Sequence, residues 1–429
     1  MREGLFPHKD LDTGMRILRR EVSSISSNAL YLMVATGITA LFGFVFWIVI
    51  ARTHKTSSVG VATILLSIST LISFIGLVGL DSGIIRFLSH EKDHSKHINS
   101  AMIVVGAATA ILSLLFCLLL PVVSRKLLFV DRHPLDILYF VIITVFTAWN
   151  TFTSTVFIAY RRTSYILWVN AAVGVLKIAL ALVIRYGGAI SIFNISGIAQ
   201  IVNVIISLGI LAHVFGYRPS MKLEFKVLSP SRRFSSTTYV ANLFFLLPPT
   251  VLPIIVTNEL GVTEAAFFYI AFTIATLLYA IPNSAMQSLY AEASHDPKSL
   301  RINVKKALLT SWGLLLPAVV LLVALSPLLL EAFGPAYKSG ATALLRVFSL
   351  SSFLIALNLA LVMIFRITLH FRAIILTNIC YAVSFLGMVF ISIPAFGLVG
   401  VGVALAFGNL VAIAVGGIFV WRSGLTAPE

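Results

Sequence analysis

Few residues in this chain have the spacing that covalent chemistry needs. Seven of the nine histidines (His8, His54, His90, His94, His97, His133 and His295) lie in polar segments, and His213 and His370 lie near the ends of apolar runs. His90, His94 and His97 share one helical face by spacing, but no carboxylate or cysteine joins them. A solvated helix accounts for them better than a metal or pH-sensing site does. Cys117 and Cys380 each sit alone in an apolar run, where cysteine behaves as a small buried apolar residue; they form neither a disulfide framework nor a zinc motif. No metal and no cofactor is expected.

Electrostatic binding is the chemistry that remains. Lys177 and Arg346 fall inside apolar runs, where an ionisable group is costly and commonly functional. Lys177 lies about eight residues from one end of its run, roughly 12 Å deep at 1.5 Å per residue. Arg346 lies about five residues in. Facing a cavity, they and Arg52 suit a phosphate-bearing ligand; facing lipid, they would snorkel to the headgroups. No Asp or Glu lies in the middle of an apolar run: Asp81, Glu264 and Glu331 are at ends. A cation exporter normally needs a buried carboxylate, so the pattern favours an anionic substrate. Pro248, Pro249 and Pro253 cluster in one run. Each removes a backbone donor, which predicts a bent or broken helix that could act as a gate. Asn150 and Asn242, with Asn203, Asn358 and the pair Pro282-Asn283, place polar groups in the spans; hydrogen bonding between helices is the default use of such asparagines, and Asn150 and Asn242 are also candidates for the cavity wall.

The elements that position these residues follow from composition. The chain has 429 residues, is 59% hydrophobic and 11% charged, and has a mean hydropathy of +1.00. A soluble domain is about a quarter charged, so a soluble enzyme and a disordered chain are both excluded. Twelve apolar runs reach membrane-spanning length, near 29–51, 61–81, 100–123, 136–159, 164–184, 193–215, 236–256, 264–285, 307–330, 342–365, 373–393 and 397–421. Runs of this length read as helices, since barrel strands are about 10 residues and alternate. The expected fold class is an all-α polytopic membrane protein. The first run is too long for a signal peptide, whose apolar core is about 7–15 residues.

Basic residues set the expected orientation. With the N-terminus inside, 22 of the 31 Lys and Arg fall in inner segments, seven in outer segments and two within runs. Both termini are therefore expected in the cytoplasm. The formal charge of +15 then reflects topology and contact with anionic membrane lipids rather than nucleic acid. Leu11, Met15, Leu18 and Val22 recur at helical spacing among Arg16, Arg19 and Arg20, so residues 1–25 are expected to form an amphipathic segment on the inner leaflet. The polar stretch 217–235 is read as a cytoplasmic linker between an N-lobe, 26–216, and a C-lobe, 236–429.

Internal similarity supports that division. A shift of 206 residues lays Ser57-Ser58-Val59-Gly60 on Thr263-Glu264-Ala265-Ala266, and Ser89-His90-Glu91 falls on Ser294-His295-Asp296 at a shift of 205. Six spans per repeat is an even number. The repeats are therefore parallel, related by a pseudo-twofold axis along the membrane normal, and a substrate site is expected between them.

The stretch Ser26-Ser27-Asn28-Ala29-Leu30-Tyr31-Leu32, the segment Gly43-Phe44-Val45-Phe46-Trp47 through Ala51-Arg52, and Val59-Gly60 resemble the opening of polysaccharide-biosynthesis membrane proteins. Gly79-Leu80-Asp81-Ser82-Gly83-Ile84-Ile85-Arg86-Phe87 resembles their segment at the inner end of the second helix, which makes Asp81 and Arg86 the motif residues. The resemblance is firmest over residues 20–100. It implies the multidrug/oligosaccharidyl-lipid/polysaccharide exporter superfamily, with two six-helix lobes in a MATE-like V around a central cavity. It further implies a flippase for a polyprenyl-(pyro)phosphate-linked oligosaccharide in the cytoplasmic membrane, with Lys177, Arg346 and Arg52 holding the phosphate. A coupling ion, H⁺ or Na⁺, and glycosyltransferases and a polymerase of the same pathway are the implied partners. Two other readings remain open on the sequence: a multidrug/cation antiporter of the same fold, and a membrane-embedded glycosyltransferase, for which the outer loops are short.

Overall fold

The computed structural model describes residues 31–32, 34–88, 93–123, 134–184, 187–295 and 300–423. All elements among the described residues are helices. They are α1 (Val34–Thr53), α2 (Thr56–Gly76), α3 (Leu80–Phe87), α4 (His94–Val123), α5 (Pro134–Ala159), α6 (Ser164–Val183), α7 (Ala189–Phe215), α8 (Phe225–Glu259), α9 (Val262–His295), α10 (Leu300–Glu331), α11 (Pro335–Ile367), α12 (Phe371–Phe396) and α13 (Val399–Ser423). Eleven are long and apolar enough to cross a membrane, and α8 carries a shorter apolar stretch, Leu243–Glu259. The chain is a multi-pass membrane protein; eleven of the twelve expected runs each fall on one helix, and the second, 61–81, is divided between α2 and α3. The amphipathic segment 1–25 lies outside the described residues.

The helices outrun the apolar runs. Helices α8 to α11 have 32 to 35 residues, whereas about 20 cross a 30 Å hydrocarbon core. Polar residues at the run edges keep helical backbone because that state satisfies their own N–H and C=O groups. The second run is instead broken. Helix α2 ends at Gly76; Val78 (φ 51°) and Gly79 (φ 75°) turn left-handed, and α3 begins at Leu80. Glycine accepts that conformation at no steric cost, and the turn places Asp81 in the first turn of α3.

Packing divides the helices into two sets. Helices α2, α4, α5, α6 and α7 pack among themselves, as do α8 to α13. Helix α1 joins the first set: a β-carbon at Gly174 of α6 would run into the ring of Phe42, and Asn170 Nδ2 donates to Thr39 Oγ1 at 3.2 Å. Contacts between the sets run mainly from α2 to α9 and α8, and from α3 to α8. The basic end of the molecule holds the connections 160–163, 216–224 and 367–370, and the opposite end holds 54–55, 260–261 and 332–334.

The tightest crossing joins the two sets at the opposite end. A β-carbon at Gly60 of α2 would overlap the carbonyl of Val262 and lie 3.3 Å from the amide nitrogen of Ala266. Gly60 and Ala266 are the positions that the 206-residue shift superposes, so equivalent residues of the two repeats meet, as expected beside a two-fold axis. Gly60→Ala is expected to cost about 1–3 kcal/mol through overpacking, read as a lowered melting temperature in detergent. Gly43→Ala, with nothing within 4 Å of the added carbon, is the matched control. Equal melting temperatures for the two variants would contradict the crossing.

Candidate functional site

A cavity of about 1110 Å³ lies between α1 and the second set of helices. On α1 its wall runs from Leu32 to Phe44, twelve residues or roughly 18 Å, starting at the basic end. Helix α8 contributes Phe245 and Pro249, α9 contributes Phe272, Tyr279 and Asn283, and α11 to α13 contribute Asn358, Tyr381 and Asn409. Every described residue of the lining is uncharged.

Side chains beyond Phe44 close the opposite end. Phe44 packs edge-on against Phe333 (5.3 Å), and Trp47 against Tyr269 (5.0 Å). Arg52 Nε donates to the carbonyl of Ala332 at 2.7 Å, and its Nη2 to the carbonyl of Glu331 at 2.6 Å. These carbonyls lie at and just past the end of α10, where the helix dipole favours a cation; that of Glu331 also accepts from the Gly334 N–H at 3.0 Å. The Glu331 carboxylate is taken by Lys338 at 3.0 Å. The clasp joins the first helix of one set to a helix of the other.

At the basic end, the Tyr239 hydroxyl of α8 donates to the carbonyl of Ile75 at 2.9 Å, near the end of α2. Its ring stacks on Phe74, with centroids 5.6 Å apart. Asp81, at the start of α3, is packed into the same seam. Burial pushes its carboxyl above the usual range, opposed by the backbone N–H of Ser82. Arg86 lies in α3, and its side chain is outside the described residues.

The three cations expected to hold one ligand are not brought together, and none lines the cavity. Arg52 forms the clasp. Arg346 is exposed on α11 and donates from Nε to Val323 O (3.3 Å) and Ser326 Oγ (3.1 Å) of α10. Lys177 of α6 lies with its ammonium 4.0 Å from the centroid of the Phe46 ring. Phe46 is two residues, roughly 3 Å, beyond Phe44 on α1, so Lys177 sits at the level of the closed end. A ring face attracts a cation but leaves its three N–H donors unused.

The proline cluster does not break α8, which runs unbroken from Phe225 to Glu259. Pro249 lines the cavity, and Pro248 and Pro253 are buried. Thr250 and Thr257 hydroxyls donate to the carbonyls of Leu246 (2.9 Å) and Pro253 (2.8 Å), local bonds that accompany the prolines. Asn150 is tied to Gln200 between α5 and α7, away from the cavity; the side chain of Asn242 is outside the described residues. Asn283 and Asn358, two of the polar residues that the sequence places within spans, line the cavity, whereas the wall residues Tyr279, Tyr381 and Phe245 are not among the residues that the sequence points to. Tyrosine at mid-span, rather than in the interfacial belt where it concentrates, was the available signal.

The sequence model described as "Polysaccharide biosynthesis protein" matches residues 25–290. The chain belongs to this family. Among solved structures, the fold is shared with an inward-facing multidrug resistance MATE family transporter of the MOP superfamily: 15% identity, 94% of this chain, 98% of that chain, TM-score 0.68. It is shared with the lipid II flippase MurJ in an inward closed conformation: 13% identity, 92% and 87% coverage, TM-score 0.74. A MOP superfamily transporter from Pyrococcus furiosus, described as having a binding pocket of reverse polarity, matches at 13% identity over 94% and 96%, TM-score 0.61. No curated protein matches the chain significantly.

If the Arg52 clasp holds the opposite end shut, Arg52→Ala raises labelling of a cysteine placed at Phe44 by a membrane-impermeant maleimide from that side by at least about threefold, since a charge-assisted bond contributes roughly 1.5–3 kcal/mol. Arg52→Lys, with one ammonium in place of a two-pronged donor, gives a smaller rise. Labelling at the wild-type rate in Arg52→Ala would remove the clasp from the gate.

Proposed function

We propose that this protein moves a polyprenyl-(pyro)phosphate-linked oligosaccharide across the cytoplasmic membrane by alternating access, with both termini in the cytoplasm. One observation carries the reading: a cavity of about 1110 Å³ begins at the basic end, is neutral along its described walls, and stops at a seam where the two repeats meet. Family membership supports the glycan, and the positive-inside bias supports entry from the cytoplasm. The lipid tail stays in the bilayer while the headgroup enters the cavity. The barrier removed is desolvation of a sugar phosphate in hydrocarbon. Rocking of the two helix sets breaks the Arg52 and Gly60 seam and closes the Tyr239 seam more fully. No covalent step is needed, and coupling to H⁺ or Na⁺ is compatible with the scheme.

We assign the phosphate to Lys177, which lies at the closed end, outside the cavity lining, and meets the headgroup when that end opens. Arg52 and Arg346 direct guanidinium donors to α10, whereas among the described residues Lys177 contacts the face of Phe46. The neutral cavity lining speaks against the antiporter reading, which needs a carboxylate for its cation.

A strain lacking the protein is expected to accumulate lipid-linked oligosaccharide that an externally added glycosidase cannot reach, and to lose surface glycan. Lys177→Ala at normal abundance is expected to reproduce that state, with at least about a tenfold loss of transport; Lys177→Arg retains part of it. An unchanged pool in the deletion strain contradicts the flippase reading. Normal transport by Lys177→Ala contradicts only the phosphate assignment.

A further inference from the structure

We propose that the aromatic wall contributed by α8, α9 and α12 is a carbohydrate subsite. In it a sugar ring lies against Tyr381 and Phe245 and hydrogen-bonds to the Tyr381 hydroxyl and the Asn283 amide. The inference rests on the reading of the substrate as a lipid-linked glycan, and adds which part of the protein reads the sugar.

Tyr381 carries the argument. It is 7% exposed and lines the cavity, yet its hydroxyl has no hydrogen-bond partner among the described residues. Its cavity-lining neighbour Tyr279 donates to Phe348 O at 3.1 Å, and in the seams Tyr239 donates to Ile75 O at 2.9 Å and Tyr217 to Asn99 Oδ1 at 2.5 Å. The Tyr337 hydroxyl is buried without a hydrogen-bond partner among the described residues, but it does not line the cavity. A buried tyrosine hydroxyl usually finds a partner. One that faces a cavity without a protein partner is placed to bond to what enters that cavity.

The surroundings select the chemical class. Phe245, nearly half exposed, lies over Tyr381 with centroids 6.3 Å apart and planes at 29°, and Phe385 flanks the same ring at 5.7 Å. This makes an apolar platform with a hydroxyl at its edge. Asn283, also in the cavity lining, is exposed and carries both a donor and an acceptor. No charged side chain faces the site among the described residues, so neither an anion nor a cation finds a counter-charge. A pyranose matches on both counts: its C–H faces are apolar, and its rim of hydroxyls both donates and accepts. The cavity exceeds the roughly 300–1,000 Å³ of ordinary small-molecule sites, which leaves room for more than one sugar. The phosphate and the glycan are then read by different helix sets, Lys177 in the first and Tyr381 in the second.

The test uses the full chain in lipid nanodiscs. The probes are the lipid-linked pool extracted from a strain lacking the protein, and the same pool after enzymatic removal of its sugars. Wild type is expected to bind the glycosylated form about tenfold more tightly than the bare carrier. Tyr381→Ala is expected to reduce that preference to within about twofold, with bare-carrier affinity unchanged. Tyr381→Phe keeps the ring and removes one hydrogen bond, so its preference falls between the two. Unchanged bare-carrier binding shows that each variant is folded. A full preference in Tyr381→Ala, or no preference in wild type that still binds the carrier, overturns the subsite and leaves the flippase reading in place. Binding of neither form by wild type overturns the flippase reading itself, and the subsite with it.

Discussion

At Gly60 the backbone of α2 comes so close to α9 that no larger residue fits without moving one helix. Much of the architecture follows from that approach. It lies at the end where α1 turns into α2 through two residues, His54 and Lys55, so α1 is carried to the same seam. Phe44, Trp47 and Arg52 then find partners on the second set within the next few turns. The seam closes one end of the cleft and leaves the space between α1 and α8 to α13 as the cavity. Gly60 meets its own repeat counterpart, Ala266, so this seam lies where the two repeats face each other.

The seam is held by groups that can be exchanged. Arg52 bonds to carbonyls at a helix end rather than to a carboxylate, and Tyr239 bonds to a carbonyl near the end of α2. Terminal carbonyls can take water when the side chain leaves, so opening strands no buried ion pair, whose rupture commonly costs 3–5 kcal/mol. Charges near the substrate path are accordingly few. Carboxylates sit at helix ends, and Lys177 rests against the ring of Phe46, which offers attraction without occupying its donors.

Hydropathy made the spans legible because run length depends on bilayer thickness alone. It missed the break before Asp81, since Leu77-Val78-Gly79-Leu80 is apolar throughout and the turn is a matter of φ, not of polarity. It also placed helix ends too far in, because backbone hydrogen bonding carries α9 to α11 past the last apolar residue. Depth along a helix was readable for Lys177, Arg346 and Arg52, but azimuth was not. Sequence alone cannot say that Arg346 faces α10 while Tyr381 faces the cavity, since that depends on which helix packs on which side. The repeat was the long-range signal the sequence did contain: it aligns Gly60 with Ala266, and the structure shows the two in contact.

The central claim is that the two ends of the cleft open in opposition. The most direct test is the distance between spin labels across each seam. One pair would sit at Ser57 and Thr263, the other at positions 74 and 243, in a chain with Cys117 and Cys380 replaced by alanine and reconstituted in lipid. The account predicts two populations: one with the first pair short and the second long, the other reversed, with lipid-linked substrate shifting the balance. A single distance for each pair, unchanged by substrate, would contradict it.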